Sequence, residues 1–264
     1  MGGLSLAPGR SSGYARGHLV LPMNENPSQR GLSSLLRVVK PYAKDLIFRS
    51  VVPNEDNRWL FELAFDTHWS AREAYEWARR SLIATPLFLS KCAVHGERIS
   101  VDRIPYITAC PRIELGSDIR ISGEIAIKGN SRRSPVLKIG NGVFLGHWTT
   151  FAVAERIEVG DFVAIGGNTY IADTEGHSHY NPRQPIWTVP ASDEDIEPVI
   201  IEDNVQISRD CMILKGVRIG ARSVIGAGSV VRSNIPPDSV VMGNPARVIK
   251  RMTPPEAEKA DSSS

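Results

Sequence analysis

The chain has 264 residues, 42% of them hydrophobic and 23% charged, and 31 Lys and Arg against 29 Asp and Glu leave a formal net charge of +2. A chain of this length buries a core without staples, and so even a charge balance excludes a globally basic nucleic-acid binder, so any anion site has to be local. Its three cysteines, Cys92, Cys110 and Cys211, are scattered and in no metal-ligand spacing, which argues against a disulfide framework and for a reducing, cytoplasmic setting.

Residues 1–30 are expected to be a disordered N-terminus. The opening has no sustained apolar h-region, no apolar run reaches the roughly 18–20 residues of a membrane span, and Leu6 breaks the myristoylation pattern. Residues 31–95 read as a helical N-terminal region. One segment is "LSSLLRVVK" before Pro41; the other is "SAREAYEWARRSLIAT", where Ser70 and Glu73 have capping-box spacing and Ala71, Ala74, Tyr75, Ala78 and Leu82 fall along one stripe. These helices are expected to pack on the following domain or on a neighbouring subunit; peripheral membrane contact through their Arg and Lys faces is the alternative.

From Val101 the pattern changes. Aliphatic residues fall at every sixth position, at Val101, Ile107, Ile113, Ile119 and Ile125, with Pro105, Pro111, Ser117, Gly123 and Gly129 four residues after each. After "NSRRSPVLK" the beat resumes at Ile139, Leu145 and Phe151, slips by two, and runs through Val159, Ile165 and Ile171. It stops for "IADTEGHSHYNPRQPIW" and returns at Ile201, Ile207, Ile213, Ile219, Ile225 and Val231, with Val205, Cys211, Val217, Ser223 and Ser229 at the fourth-following places. A period of six belongs neither to a helix nor to a long strand; it describes a coil of short parallel strands, three faces to a turn, each pointing its aliphatic residue into one interior column. Glycines in "IGNG" and "IGAGS" are expected at corners that need unusual backbone angles. A β-sandwich would not keep the six in register.

The units "IGNGVF", "VGDFVAIGGNTYIAD" and "IGARSVIGAGSVV", closed by "IPPDSVVMGNPARVIKRM", resemble the hexapeptide-repeat acyltransferases, above all the group of maltose, galactoside and polysaccharide O-acetyltransferases. The resemblance covers about residues 100–252. It implies a mainly β fold, a left-handed parallel β-helix over 100–235 with an extruded loop at 172–198, preceded by the helical extension and followed by a closing segment at 236–252 and a disordered tail at 253–264. It also implies an acetyl-coenzyme A donor, a saccharide acceptor and a homotrimer with active sites at the subunit interfaces.

A narrow coil has no room for chemistry inside, so function belongs on the extruded loop and in the grooves between subunits. By the resemblance His177, in "EGH", is the general base: an imidazole titrating near neutrality can take the hydroxyl proton and return it to the departing thiolate. His179 is an acceptor contact or a partner of that imidazole. Asp173 closes the last face before the loop and either orients the imidazole, binds a sugar hydroxyl, or is a corner residue. Trp187 either offers an apolar platform to a sugar or anchors the loop. One turn earlier "LGHWTT" places His147 and Trp148 where galactoside-type enzymes carry an Asn-containing face. The coenzyme is expected along Ser208 and Arg209, Gly226 and Ala227, Arg232 and Ser233, and Lys250, where small residues make room for the pantetheine arm and cations meet the phosphates. Lys215, Arg218 and Arg222 add positive charge nearby. "NVQIS" stands where the family usually has "NVWIG", so Gln206 replaces a Trp.

Cys211 sits at a small-residue corner, a packing place, which argues against covalent catalysis. Two rival readings remain: a zinc enzyme like the γ-type carbonic anhydrases, with His147, His177 and His179 as ligands although their spacing is wrong for it, and a non-catalytic trimeric scaffold. The acyltransferase reading expects no metal and no nucleic acid.

Overall fold

The computed structural model describes residues 53–130, 133–177, 185, 189 and 191–252. The expected disordered ends and the "LSSLLRVVK" helix therefore lie outside or almost wholly outside the described residues, as do His179 and Trp187. The chain divides into two compact units, Met1–Ala64 and Phe65–Ser264.

In the first unit Asn54 and Asn57 close a turn on each other, the Asn57 carboxamide accepting from the Asn54 amide at 2.7 Å and Asn54 accepting from Asn57 at 3.0 Å. Helix α1, Arg58–Arg79, starts directly after it. Ser70 is therefore a mid-helix residue and caps nothing. The stretch before it, "RWLFELAFDTHW", holds no Gly or Pro, so nothing halts propagation. Tyr75 and Leu82, on the expected apolar stripe, are exposed.

What buries the extension comes later. A π-helical turn, Arg80–Ala84, leads into the short helix α2, Thr85–Leu89, whose Pro86 occupies the first turn where no amide donor is needed. Ala84 and Phe88 are each 1% exposed, Phe88 joins the core of the coil, and both short elements pack on the strand Ser100–Val101. The Thr85 hydroxyl accepts from the Val101 amide at 3.1 Å. Phe88 thus stoppers the open end of the coil, and Phe88→Ala is expected to cost about 3–5 kcal/mol of unfolding free energy by denaturant titration.

The coil has three sheets. Sheet A is the stack Val94–His95, Arg112–Leu115, Val136–Ile139, Arg156–Val159, Val199–Ile201 and Arg218–Ile219. Sheet B stacks Ser100–Val101, Arg120–Ile121, Phe144–Leu145, Ala164–Ile165, Gln206–Ile207 and Val224–Ile225, and ends in the hairpin Ser239–Gly243 and Ala246–Arg251. Sheet C stacks Tyr106–Thr108, Ala126–Lys128, Thr150–Ala152, Tyr170–Ala172, Met212–Ile213 and Val230–Val231. Every pairing is parallel except that of the closing hairpin. This is the parallel β-helix with an N-terminal helical extension that the repeat predicts.

The period is six only in the upper turns. Ile207 pairs with Ile225, a step of 18 residues, whereas Val101 pairs with Ile121, a step of 20, and Ile121 with Leu145, a step of 24. The lower turns carry longer sheet-A strands in which alternate residues, such as Ile113 and Leu115, both point inward. The beat read through Ile119 and Ile125 therefore follows the second inward position of each face, and Ile121 and Ile127 hold the first. In the upper turns the fourth-following residues Val205, Cys211, Val217, Ser223 and Ser229 are all buried.

Glycine at the corners serves two purposes, and only one is backbone angle. Gly142 has φ +66°, and Asn168, Asn204 and Asp210 take the same left-handed place in their turns. Gly166 is needed for close stacking instead: a Cβ there would lie 2.5 Å from the Arg209 amide nitrogen of the next turn.

Candidate active site

The loop grows out of the edge between sheets C and A. Asp173 is fully buried at its root, and its carboxylate accepts from the amides of Ala154 at 2.6 Å and of Glu155 and Arg156 at 2.7 Å. Burial pushes its carboxyl above the ordinary carboxylate range, against the downward pull of those donors. With both oxygens turned into the turn below, Asp173 is a corner residue and does not reach a substrate hydroxyl, which corrects its expected place in the acceptor site. Asp173→Ala would strand three amides, each costing about 1–3 kcal/mol when left unpaired. The variant is expected to lose at least about 3 kcal/mol of stability in urea unfolding.

Above Asp173 the two limbs of the loop meet. Thr174 bridges Ile196 in antiparallel fashion, the Glu175 amide donates to the Asp195 carbonyl at 3.3 Å, and the Glu197 amide donates to the Asp173 carbonyl at 2.9 Å. Lys215, on the next turn, locks this neck: its ammonium lies 3.3 Å from the Glu175 carboxylate and donates to the Glu194 carbonyl at 3.1 Å. On the outer limb Asp195 accepts from both the amide (2.8 Å) and the hydroxyl (2.7 Å) of Ser192, closing a capping box on the turn Asp193–Asp195.

Immediately past the neck, Gly176 turns with φ +83° and His177 emerges, exposed. Its Nδ1 lies 3.1 Å from the Val189 carbonyl. A carbonyl oxygen only accepts, so Nδ1 carries the proton in this contact and Nε2 is the basic nitrogen of the neutral ring. The contact both fixes the tautomer and orients the ring, which a general base requires.

The other predicted residues divide between two edges. Arg232 and Ser233 stand on the same C–A edge as the loop, exposed, and Arg232 has no ion-pair partner among the described residues. His147, Trp148, Ser208, Arg209, Gly226 and Ala227 lie on the B–C edge, stacked turn upon turn. Trp148 is 66% exposed in a left-handed conformation, φ +59°, that a bulky side chain rarely takes, and the His147 ring meets it edge-on at 5.1 Å. Arg209 pairs with its neighbour Asp210 at 2.8 Å. Lys250 stands apart on the closing hairpin opposite Val240, and Gln206 faces outward from sheet B.

Three nearby cations are engaged in pairs. Lys215 holds the loop neck as described, Arg218 pairs with Glu202 at 2.6 Å, and Arg222 meets Asp238 through two nitrogens at 2.6 and 2.7 Å. They are not the loose positive field that their sequence positions suggest. The Cys211 thiol is buried in the core and pushed up in pKa by that burial, in keeping with a packing role. Among the described residues no cluster of three or more His, Cys, Asp or Glu is arranged to hold a metal, and His147 and His177 occupy different edges.

Sheet C separates the two edges, and its outward residues Tyr106, Ala126, Thr150, Tyr170, Met212 and Val230 are uncharged, with Lys128 at the end of one strand as its exposed cation. Sheet A instead presents Arg112, Glu114, Lys138, Arg156, Glu158 and Arg218 outward. This contrast was legible only once the strand register was known.

The upper turns combine a six-residue beat with a three-sided coil around a buried aliphatic column. Residues 198–233 match the family described as bacterial transferase hexapeptide (six repeats). The chain is 27% identical over 196 residues to a probable acetyltransferase of Mycobacterium tuberculosis, covering 73% of this chain and 61% of that protein. It is 33% identical over 113 residues to a Schizosaccharomyces pombe protein named as an acetyltransferase, covering 43% of this chain and 52% of the other. It thus spans between about half and three-fifths of the length of these relatives. Among solved structures, AntD, an N-acyltransferase from Bacillus cereus in complex with dTDP and 3-hydroxybutyryl-CoA, superposes with a TM-score of 0.54 at 21% identity over 68% of this chain and 93% of that one. That likeness establishes the shared fold.

Proposed function

We propose that the protein is an acyl-coenzyme A-dependent O-acetyltransferase that moves an acetyl group to a hydroxyl of a saccharide, a cell-surface polysaccharide or its precursor. The observation that carries this reading is His177, exposed on a braced loop with its Nδ1 proton committed to the Val189 carbonyl. Nε2 takes the proton of the acceptor hydroxyl as that oxygen attacks the thioester carbonyl. The tetrahedral adduct collapses with cleavage of the C–S bond, and the imidazolium returns the proton to the leaving thiolate. Both substrates are held in line before reaction, and backbone amides serve the developing oxyanion.

The acyl donor in this reading lies along the B–C edge, over Ser208, Gly226 and Ala227, with Arg209, Arg232 and Lys250 meeting its phosphates. Arg232 and Ser233 share the loop edge, whereas Ser208 and Ala227 stand on the other. One chain therefore carries the two halves on separate edges, and a homotrimer joins the loop edge of one copy to the B–C edge of the next, the charge-poor sheet C, with Lys128 as its exposed cation, being suited to self-association. A cytoplasmic location belongs to the same proposal; no helix among the described residues is long and apolar enough to cross a membrane.

The test is thiol release from acetyl-coenzyme A against a panel of sugars and amino sugars. Turnover with hydroxyl acceptors is the expected result. Turnover confined to amines would replace O- by N-transfer, and zinc co-purifying with a protein inert towards every acceptor would favour the metal reading.

A further inference from the structure

Away from the loop, within the second compact unit, a cavity of about 370 Å3 lies between helix α1 with its π-helical continuation and the first corners of the B–C edge. Its wall brings four guanidinium groups, Arg72, Arg79, Arg80 and Arg103, together with only two carboxylates, Glu76 and Asp102. Those carboxylates are already shared. Glu76 accepts a charge-assisted hydrogen bond from Arg79 and has Arg103 at 3.8 Å. Asp102 has Arg80 at 3.4 Å and also accepts from the Gly123 amide at 3.2 Å. The Arg79 hydrogen bond holds the Glu76 carboxyl below its ordinary range, and Arg103 and Arg72 add to the pull.

Arg72 has no carboxylate partner of its own among the described residues; its guanidinium lies 5.7 Å from the centre of the Trp69 ring, which leaves its edge donors for another acceptor. The wall therefore carries an excess of two positive charges, those of the exposed Arg72 and Arg103 once Arg79 and Arg80 are set against the two carboxylates. Arg79 and Arg80 are 16% and 30% exposed at the side chain, so their charges are screened less than those of a solvated face. Planar guanidinium forks converging on a concave space match the oxygens of a doubly charged tetrahedral anion, and the volume falls in the range of small-ligand sites.

We propose that this cavity binds a phosphate-bearing ligand, a phosphomonoester or a diphosphate, through Arg72, Arg80 and Arg103. The two excess charges suit a dianion, where a single carboxylate would leave one unbalanced. The group is either carried by the acceptor or free in solution, and its recognition is independent of whether His177 is a base.

Calorimetric titration of the full chain with inorganic pyrophosphate and with a sugar 1-phosphate, at fixed ionic strength in chloride, tests this. Saturable binding is expected, at least about tenfold weaker in Arg72→Gln and in Arg103→Gln, since each variant loses a charge-assisted hydrogen bond to the anion. Both residues are exposed, so the variants are expected to melt as the parent does. Arg120→Gln, an exposed arginine on sheet B outside the cavity, is expected to leave binding unchanged. A sugar 1-phosphate bound more tightly than pyrophosphate assigns the group to a sugar ligand, and the reverse order assigns it to a free anion. Absence of saturable binding, or equal weakening by Arg120→Gln and Arg103→Gln, overturns the proposal.

Discussion

His177→Ala is expected to lower kcat for acetyl transfer by about 10²- to 10⁴-fold while coenzyme A binding is retained. The direction follows from the geometry of one ring. Nδ1 is tied to the Val189 carbonyl at 3.1 Å, so the basic lone pair sits on Nε2 and the ring is held against rotation. Removing the ring removes the proton acceptor and leaves the neck of the loop intact, because Lys215, Glu175, Thr174 and Ile196 form it without His177. The loss should therefore fall on kcat, with the melting temperature little changed. His177→Gln is a useful companion: it retains a side-chain hydrogen-bonding group yet cannot take a proton near neutral pH, and it should be as inactive as the alanine variant. Unchanged turnover in both would remove His177 from the chemistry.

The second large effect concerns assembly. Ala227 is exposed on the B–C edge, so Ala227→Trp should block the acyl-donor groove without touching the core, and it should abolish turnover as completely as His177→Ala. Co-expressed with different tags and purified as mixed trimers, the two inactive variants are expected to recover about a third of parental activity per site, since one interface in three of any mixed trimer pairs an intact loop with an intact groove. If both halves of the site came from one chain, every site would carry one lesion and the mixed oligomers would stay inactive. Recovery of tagged hybrids with no activity would thus reject the interfacial site while leaving the base assignment standing.

Much of this molecule was already determined by the order of its residues. A period near six is incompatible with helix or sandwich, so the coil, its interior column from Val101 to Val231, and the interruption between Ala172 and Val199 all follow from spacing alone. Resemblance in "EGH" is what puts His177 forward for the role proposed above. Other features depend on what the folding chain brings together. Ser70 has the spacing of a cap yet lies inside helix α1, because a helix ends only where something stops it, and the twelve residues before Ser70 do not. The slip of two residues in the lower turns was hidden because Ile119, Ile121, Ile125 and Ile127 are equally apolar, and only pairing with the turns above and below ranks them. Asp173 stayed open between an imidazole partner, a sugar contact and a corner residue because sequence does not show which way a carboxylate turns; three amides of the preceding turn claimed it. Lys215, Arg218 and Arg222 looked like a field of free charge, and tertiary contact paired each with an acid. Local spacing decides which residues face inward, because that depends on one strand at a time; the partner of each of these polar groups is decided by residues about a turn or more away, 16 to 40 positions along the chain, and only the closed coil brings them within reach.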